Sequence, residues 1–168
     1  MQPVRAASTR VTGTTLIWIY TYDTFGHALT AKGPRTDFNA TATFTYDADG
    51  DLSNHDPNGL ITDISYKPRG WISSITVGGE TTSYDYDGVG QVTLTTLPDG
   101  STIGYAYDDA HRLTRITDSL GNSINYTLDA IGNRTTEQSK DANGTLTRQV
   151  TRVIDALNRV KQITGAQQ

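Results

Sequence analysis

The 168-residue sequence contains no cysteine. That excludes a disulfide framework and any thiolate nucleophile, and it leaves the redox compartment open. Basic charge is also short. Lys and Arg total 14 against 18 acidic residues, for a net charge of −4. No electrostatic footprint for nucleic acid or an anionic membrane follows from that balance. Long apolar runs are missing: the longest is Leu16-Ile17-Trp18-Ile19-Tyr20, far below the roughly 20 residues of a membrane helix. No basic flank or small-residue cleavage site marks a signal peptide. An internal piece of a longer protein would show the same lack.

Catalytic signatures are sparse too. No Gly-rich phosphate loop leads into a helix, because no helical periodicity is visible. There is no G-x-S-x-G, and the three histidines, His27, His55 and His111, show no H-x-x-x-H spacing. His55 beside Asp56 is not read as an acid–base pair, because adjacent strand or turn residues point apart. The sequence predicts no enzyme, no cofactor and no metal. "DADGD", Asp47 to Asp51, alternates carboxylates as calcium loops do. Its Gly comes fourth rather than sixth and no Glu follows, so a solvated turn is expected.

What is present is biased. Asp outnumbers Glu 16 to 2 and Thr occurs 28 times. Asp favours turns by accepting from nearby amides, and β-branched Thr suits a half-wet pleated surface. Counted with Gly and without Tyr, the apolar share is roughly 39%, below the usual value of about 45–50%. A sheet with one drier face fits this better than a thick two-sided core.

The bias is periodic. Tyr22-Asp23, Tyr46-Asp47, Tyr66-Lys67, Tyr86-Asp87, Tyr107-Asp108, Leu128-Asp129 and Ile154-Asp155 recur about every 20 to 21 residues, with two longer intervals holding "AKGPRTDFNAT" and "EQSKDANGTLT". Shortly after each pair comes Gly26, Gly50, Gly70, Gly90, His111, Gly132 or Asn158. Gly adopts positive φ freely, and Asn and His are the commoner exceptions. Asp first and Gly fourth predict a type I turn extended into a bulged hairpin loop. A second, tight turn is expected at Gly33-Pro34, Asn58-Gly59, Gly78-Gly79, Asp99-Gly100, Leu120-Gly121-Asn122 and Asn143-Gly144.

The fold expected is all-β: an antiparallel meander of about fourteen short strands in seven hairpin units over 14–164. Residues 1–13 are a flank and 165–168 a tail. Incoming strands show clean alternation, as in Leu16, Trp18, Tyr20, Tyr22 or Ile103, Tyr105, Tyr107. In outgoing strands Ile72/Ile75, Leu113/Ile116 and Val160/Ile163 are three apart. Either a bulge intervenes or both faces carry apolar surface.

These residues resemble the YD repeat of the RHS family, which includes bacterial Rhs proteins, C components of Tc insecticidal toxins, and teneurins. The family pattern is roughly G-x-x-x-x-Y-x-Y-D-x-x-G-R-L, and "GSTIGYAYDDAHRLTRITD", Gly100 to Asp118, matches it best. Lys67, His111, Asn158, Leu128 and Ile154 depart from it. The resemblance implies a sheet strip that curls into a hollow shell, enclosing a toxic C-terminal region in bacterial members, with a secreted or cell-surface setting. "DPNGL", Asp56 to Leu60, is similar to a segment at the end of the family's core, near its self-cleavage region. Here it sits in mid-array without the neighbouring residues, and an ordinary turn is expected.

The partners expected are neighbouring repeats of a parent protein. Seven units are too few to close a chamber and no terminal cap is visible, so self-association through the end strands is expected. The second functional reading is a carbohydrate- or protein-binding module using the rings of Tyr20, Tyr22, Phe44, Tyr46, Tyr66, Tyr84, Tyr86, Tyr105, Tyr107 and Tyr126. Recurrence at the structural period favours packing for these rings over sugar stacking.

Overall fold

The computed structural model describes residues 4–11, 14–34, 41–57 and 60–167, with side chains over 16–34, 41–52 and 60–165. The Asn58-Gly59 turn, the insertion over 35–40 and the side chains of His55 and Asp56 lie outside the described residues. The described residues contain fifteen β-strands and no helix. The chain divides into two compact units, Met1–Thr82 and Ser83–Gln168.

The first unit carries β1 (Val4–Val11), β2 (Thr14–Tyr22), β3 (Ala28–Lys32), β4 (Thr41–Tyr46), β5 (Leu52–Pro57), β6 (Thr62–Tyr66) and β7 (Ile72–Val77). Each pairs antiparallel with the next in chain order. β8 (Glu80–Tyr86) enters the second unit at Ser83. There it is followed by β9 (Val92–Thr96), β10 (Thr102–Tyr107), β11 (Leu113–Asp118), β12 (Ser123–Leu128), β13 (Arg134–Lys140), β14 (Leu146–Ile154) and β15 (Val160–Gln167). These also pair only with chain neighbours. Each unit is therefore an antiparallel meander one layer thick among the described residues.

The stretch 1–13, expected as a flank, carries a ladder strand. β1 pairs in register with β2 from Val4↔Thr21 to Val11↔Thr14. Its polar sequence gave no apolar alternation to read, but ladder bonds use backbone groups and need none. At the other end β15 runs to Gln167, into the expected tail.

The register settles the outgoing strands. Tyr66 pairs with Ile72 while Ser65 pairs with Ser74. Tyr107 pairs with Leu113 while Ala106 pairs with Arg115. Ile154 pairs with Val160 while Val153 pairs with Gln162. One residue is skipped each time, so apolar residues three apart return to the same face, as a bulge permits. The skipped residue is often Thr. Thr114 and Thr135 donate their hydroxyls to the carbonyls of Ala106 and Thr127, each at 3.1 Å.

One layer leaves little interior. Among described residues Val150, 7% exposed, is the buried apolar residue, and Thr95 and Ser123 are the buried polar ones. The tyrosines are half-buried. Stability therefore rests on ladders between adjacent strands and on the loops that join them.

Candidate functional site: the loop edge

Ten loops among the described residues share one bond pattern. They begin at Asp23, Asp47, Lys67, Asp87, Leu97, Asp108, Asp118, Asp129, Asp141 and Asp155. In each, the first residue's amide donates to the carbonyl four residues on, and the fourth residue's amide donates back to the first carbonyl, at 2.7–3.3 Å. The fourth residue has φ between 61° and 96° in all ten, as Gly26, Gly50, Gly70, Gly90, Gly100, His111, Gly121, Gly132, Gly144 and Asn158. This corrects the expected tight turns at Asp99-Gly100, Gly121 and Asn143-Gly144. They are the same five-residue loop, because Gly again stands fourth. The two-residue form occurs at Gly78-Gly79.

The first-position carboxylate holds the loop. One oxygen of Asp129 accepts from the amides of Ile131 and Asn133 at 3.1 and 2.9 Å. Asp23, Asp47, Asp87, Asp108, Asp118, Asp141 and Asp155 do the same at their loops. The second oxygen takes the side chain at the fifth position. Partners are His27 Nδ1 (2.8 Å), Arg112 Nε (2.8 Å), Asn122 Nδ2 (2.8 Å), Asn133 Nδ2 (2.8 Å) and Arg159 Nε (3.0 Å). Lys67 and Leu97 lack the carboxylate, yet their loops close with the same backbone bonds.

Such bonds hold the carboxyls of Asp23, Asp87, Asp99, Asp108, Asp118, Asp129 and Asp155 below the ordinary aspartate value. At Asp108, Asp118 and Asp129 the main cause is the side chain of Arg112, Asn122 or Asn133. At Asp87 and Asp155 it is the amide of Gln91 or Arg159. At Asp99 it is the Ser101 hydroxyl. At Asp23 burial pushes upward, but bonds from His27 and Phe25 outweigh it.

The fifth side chain also reaches the next hairpin. Gln91 Nε2 donates to the His111 carbonyl at 2.8 Å, and Arg112 donates to the Asp129 carbonyl at 2.9 Å. Asn133 donates to the Asn158 side chain. In the first unit the His27 ring stacks on Tyr46 at 4.8 Å between centroids. A Cβ on Gly50 would lie 3.3 Å from that His27 ring, and one on Gly132 would lie 3.8 Å from Arg112 Cδ. Gly50 thus serves both the left-handed φ and the ring arriving from the preceding loop, whereas at Gly132 a Cβ would make an ordinary contact and the φ alone calls for Gly.

Tyrosines fasten the same edge. The hydroxyls of Tyr46 and Tyr107 donate to the carbonyls of Ala28 and Val92, each at 2.9 Å, across the boundary between consecutive hairpins. Burial raises both phenols, with Asp23 adding to it at Tyr46, and Tyr105 and Asp87 at Tyr107. Burial also raises Tyr66, with Asp51 and Asp47 contributing. Tyr22 lies 6.4 Å from Tyr20 between ring centroids, and Tyr86 ends β8.

An open groove of about 660 Å³ lies over Asp23, His27, Tyr46 and Asp47. The Asp23 and Asp47 carboxylates are engaged by their own loops. No cluster of three His, Asp or Glu among the described residues could hold a metal ion. Sequence reasoning placed the Asp and Gly positions and missed the fifth one. Its signal is a donor side chain, His27, Gln91, Arg112, Asn122, Asn133 or Arg159, always four residues after Asp.

Residues 66–102 and 107–146 match the family model described as RHS Repeat. No curated protein matches the chain. Among solved structures it is similar to the crystal structure of TcdB2-TccC3-Cdc42, with 16% identity and a TM-score of 0.76, covering 93% of this chain and 9% of that one. It is similar to TcdB2-TccC3 without the hypervariable C-terminal region, with 15% identity, TM-score 0.76, and 93% and 9% coverage. A Photorhabdus luminescens Tc holotoxin pore with a TccC3 mutation gives 14% identity, TM-score 0.76, and 98% and 10% coverage. The chain spans at most 10% of the length of these matched chains. At such identities the likeness shows the fold.

Proposed function

We propose that the chain, whose residues 66–102 and 107–146 match the RHS Repeat model, is a member of the RHS-repeat family and a stretch of shell wall, without catalysis of its own, that helps enclose a toxin-like C-terminal region of a longer parent protein. As a structural repeat it associates with adjacent repeats. The observation that carries this reading is the use made of the loop edge. Arg112 and Asn133 each bind their own turn carboxylate and then the following loop. Groups that could do chemistry are spent on joining hairpin to hairpin. Function must be argued from a site, and this site is an adhesive seam.

The test uses the full-length parent polypeptide and limited proteolysis of its C-terminal region. The intact wall should protect that region. Asp108→Ala combined with Arg112→Ala should expose it to cleavage while the repeat region keeps its β-sheet circular dichroism. Equal cleavage of both forms would refute enclosure.

A further inference from the structure

The two faces of the second unit differ. One carries Ile103, Tyr105, Ile116, Ile124 and Tyr126. The other is polar, and its register sets four side chains together. Arg115 is opposite Asn125 on β11 and β12, and Ser123 is opposite Lys140 on β12 and β13. Directly opposed residues share a face and lie within side-chain reach. Arg115 and Lys140 thus flank Ser123 and Asn125 from the two outer strands. The four line an open groove of about 260 Å³, with Gly121 and Gly144 at the rim.

The cations of this unit are otherwise engaged nearly throughout. Arg112 pairs with Asp108, Arg159 with Asp155, and Arg148 and Arg152 with Glu137. Arg134 lies over the Tyr126 ring at 4.0 Å. The side chains of Arg115 and Lys140, like that of Lys161, have no ion pair or hydrogen bond among the described residues. The carboxylate at the groove, Asp141, accepts from the amides of Asn143 and Thr145. Ser123 is 8% exposed, and its Oγ accepts from Asn125 Nδ2 at 3.2 Å. A hydroxyl has one proton to donate, and a buried donor calls for an acceptor.

We propose that this groove binds an acidic sugar residue. Its carboxylate or sulfate sits between Arg115 and Lys140, and its ring hydroxyls meet Ser123 and the Asn125 amide. A saccharide fits better than an acidic peptide. The lining mixes donors with acceptors, as ring hydroxyls require, and holds no apolar socket for an anchoring side chain. This site is on the face opposite Tyr105 and Tyr126, so it does not use the aromatic row. It also stands independently of the shell reading, because it needs only β11 to β13 and the loops that follow β11 and β13.

The test is titration of the ¹⁵N-labelled 168-residue chain with a glucuronate disaccharide, read as amide shifts. Saturable shifts at Ser123, Asn125, Lys140, Gly121 and Gly144 are expected, and none from neutral glucose. Arg115→Gln with Lys140→Gln should weaken binding roughly tenfold or more, the scale of losing charge-assisted bonds, while leaving the remaining spectrum in place. Equal shifts from sodium sulfate alone would overturn the proposal. So would saturation by a polyaspartate peptide but not by the disaccharide, or no saturation by either.

Discussion

Gly88 and Gly132 stand in the same type of loop, yet they carry different constraints. Gly132 is fourth in its loop, with φ of 95° and the Arg112 stem close by. Gly88 is second, without positive φ and with open space where a Cβ would go. Gly132→Ala should cost about 1–3 kcal/mol, because a side chain is held in a sparsely populated backbone region. Gly88→Ala should be neutral or stabilise by about 0.4–1 kcal/mol through a less free unfolded chain. Urea unfolding of the two variants checks this, and equal losses would contradict the loop geometry. His111 and Asn158 occupy the same position at φ of 62° and 61°. Each offers a side-chain bond in return, His111 to Gln91 and Asn158 to Asn133.

At the scale of the hairpin, the carboxylate clamp makes the loops sensitive to acid. Asp87, Asp108, Asp118, Asp129 and Asp155 titrate below their ordinary value in the folded chain. A depressed carboxyl contributes stability that is fully present above its unfolded pKa, near 3.9, and lost as pH falls through the folded value. The urea midpoint should therefore hold steady above about pH 5 and decline below about pH 4. In the same titration the amides of Ile131 and Asn133, which donate to Asp129, should shift with that carboxyl. The Lys67 amide, whose acceptor is the Trp71 carbonyl, should not follow such a curve. An acid-independent midpoint would remove the clamp from the account of stability.

At the scale of the molecule, the described residues of each unit form no enclosed core. Strands touch only their neighbours along the chain, and among described residues a single apolar side chain, Val150, is buried. Stability is then close to a sum of nearest-neighbour interfaces, as in repeat proteins, and one all-or-none transition is not expected. Trp18 and Trp71 both lie in the first unit. Their fluorescence should report a denaturant midpoint distinct from that of far-ultraviolet circular dichroism, which averages both units. Coincident curves from the two probes would count against this additive picture. Phe25, Val89, Ile131 and Leu157, each third in its own loop, are exposed.

The sequence by itself determined whatever depends on a few adjacent residues. The Asp-to-Gly spacing sets a five-residue loop, because the carboxylate reach and the left-handed φ are both local properties. Alternation set the faces of the incoming strands, because the pleat has period two. Those two signals were enough for an antiparallel meander. Tertiary structure decided what required knowing which strand lies alongside. The bulge that realigns Leu113 with Ile116 appears only once Tyr107 and Tyr105 are opposite them. Arg112 meets the Asp129 carbonyl 17 residues away, and Arg115 comes to flank the same groove as Lys140. Polar β1 joins the ladder for the same reason: pairing is chosen by backbone groups that every residue carries, so side-chain pattern alone does not announce it.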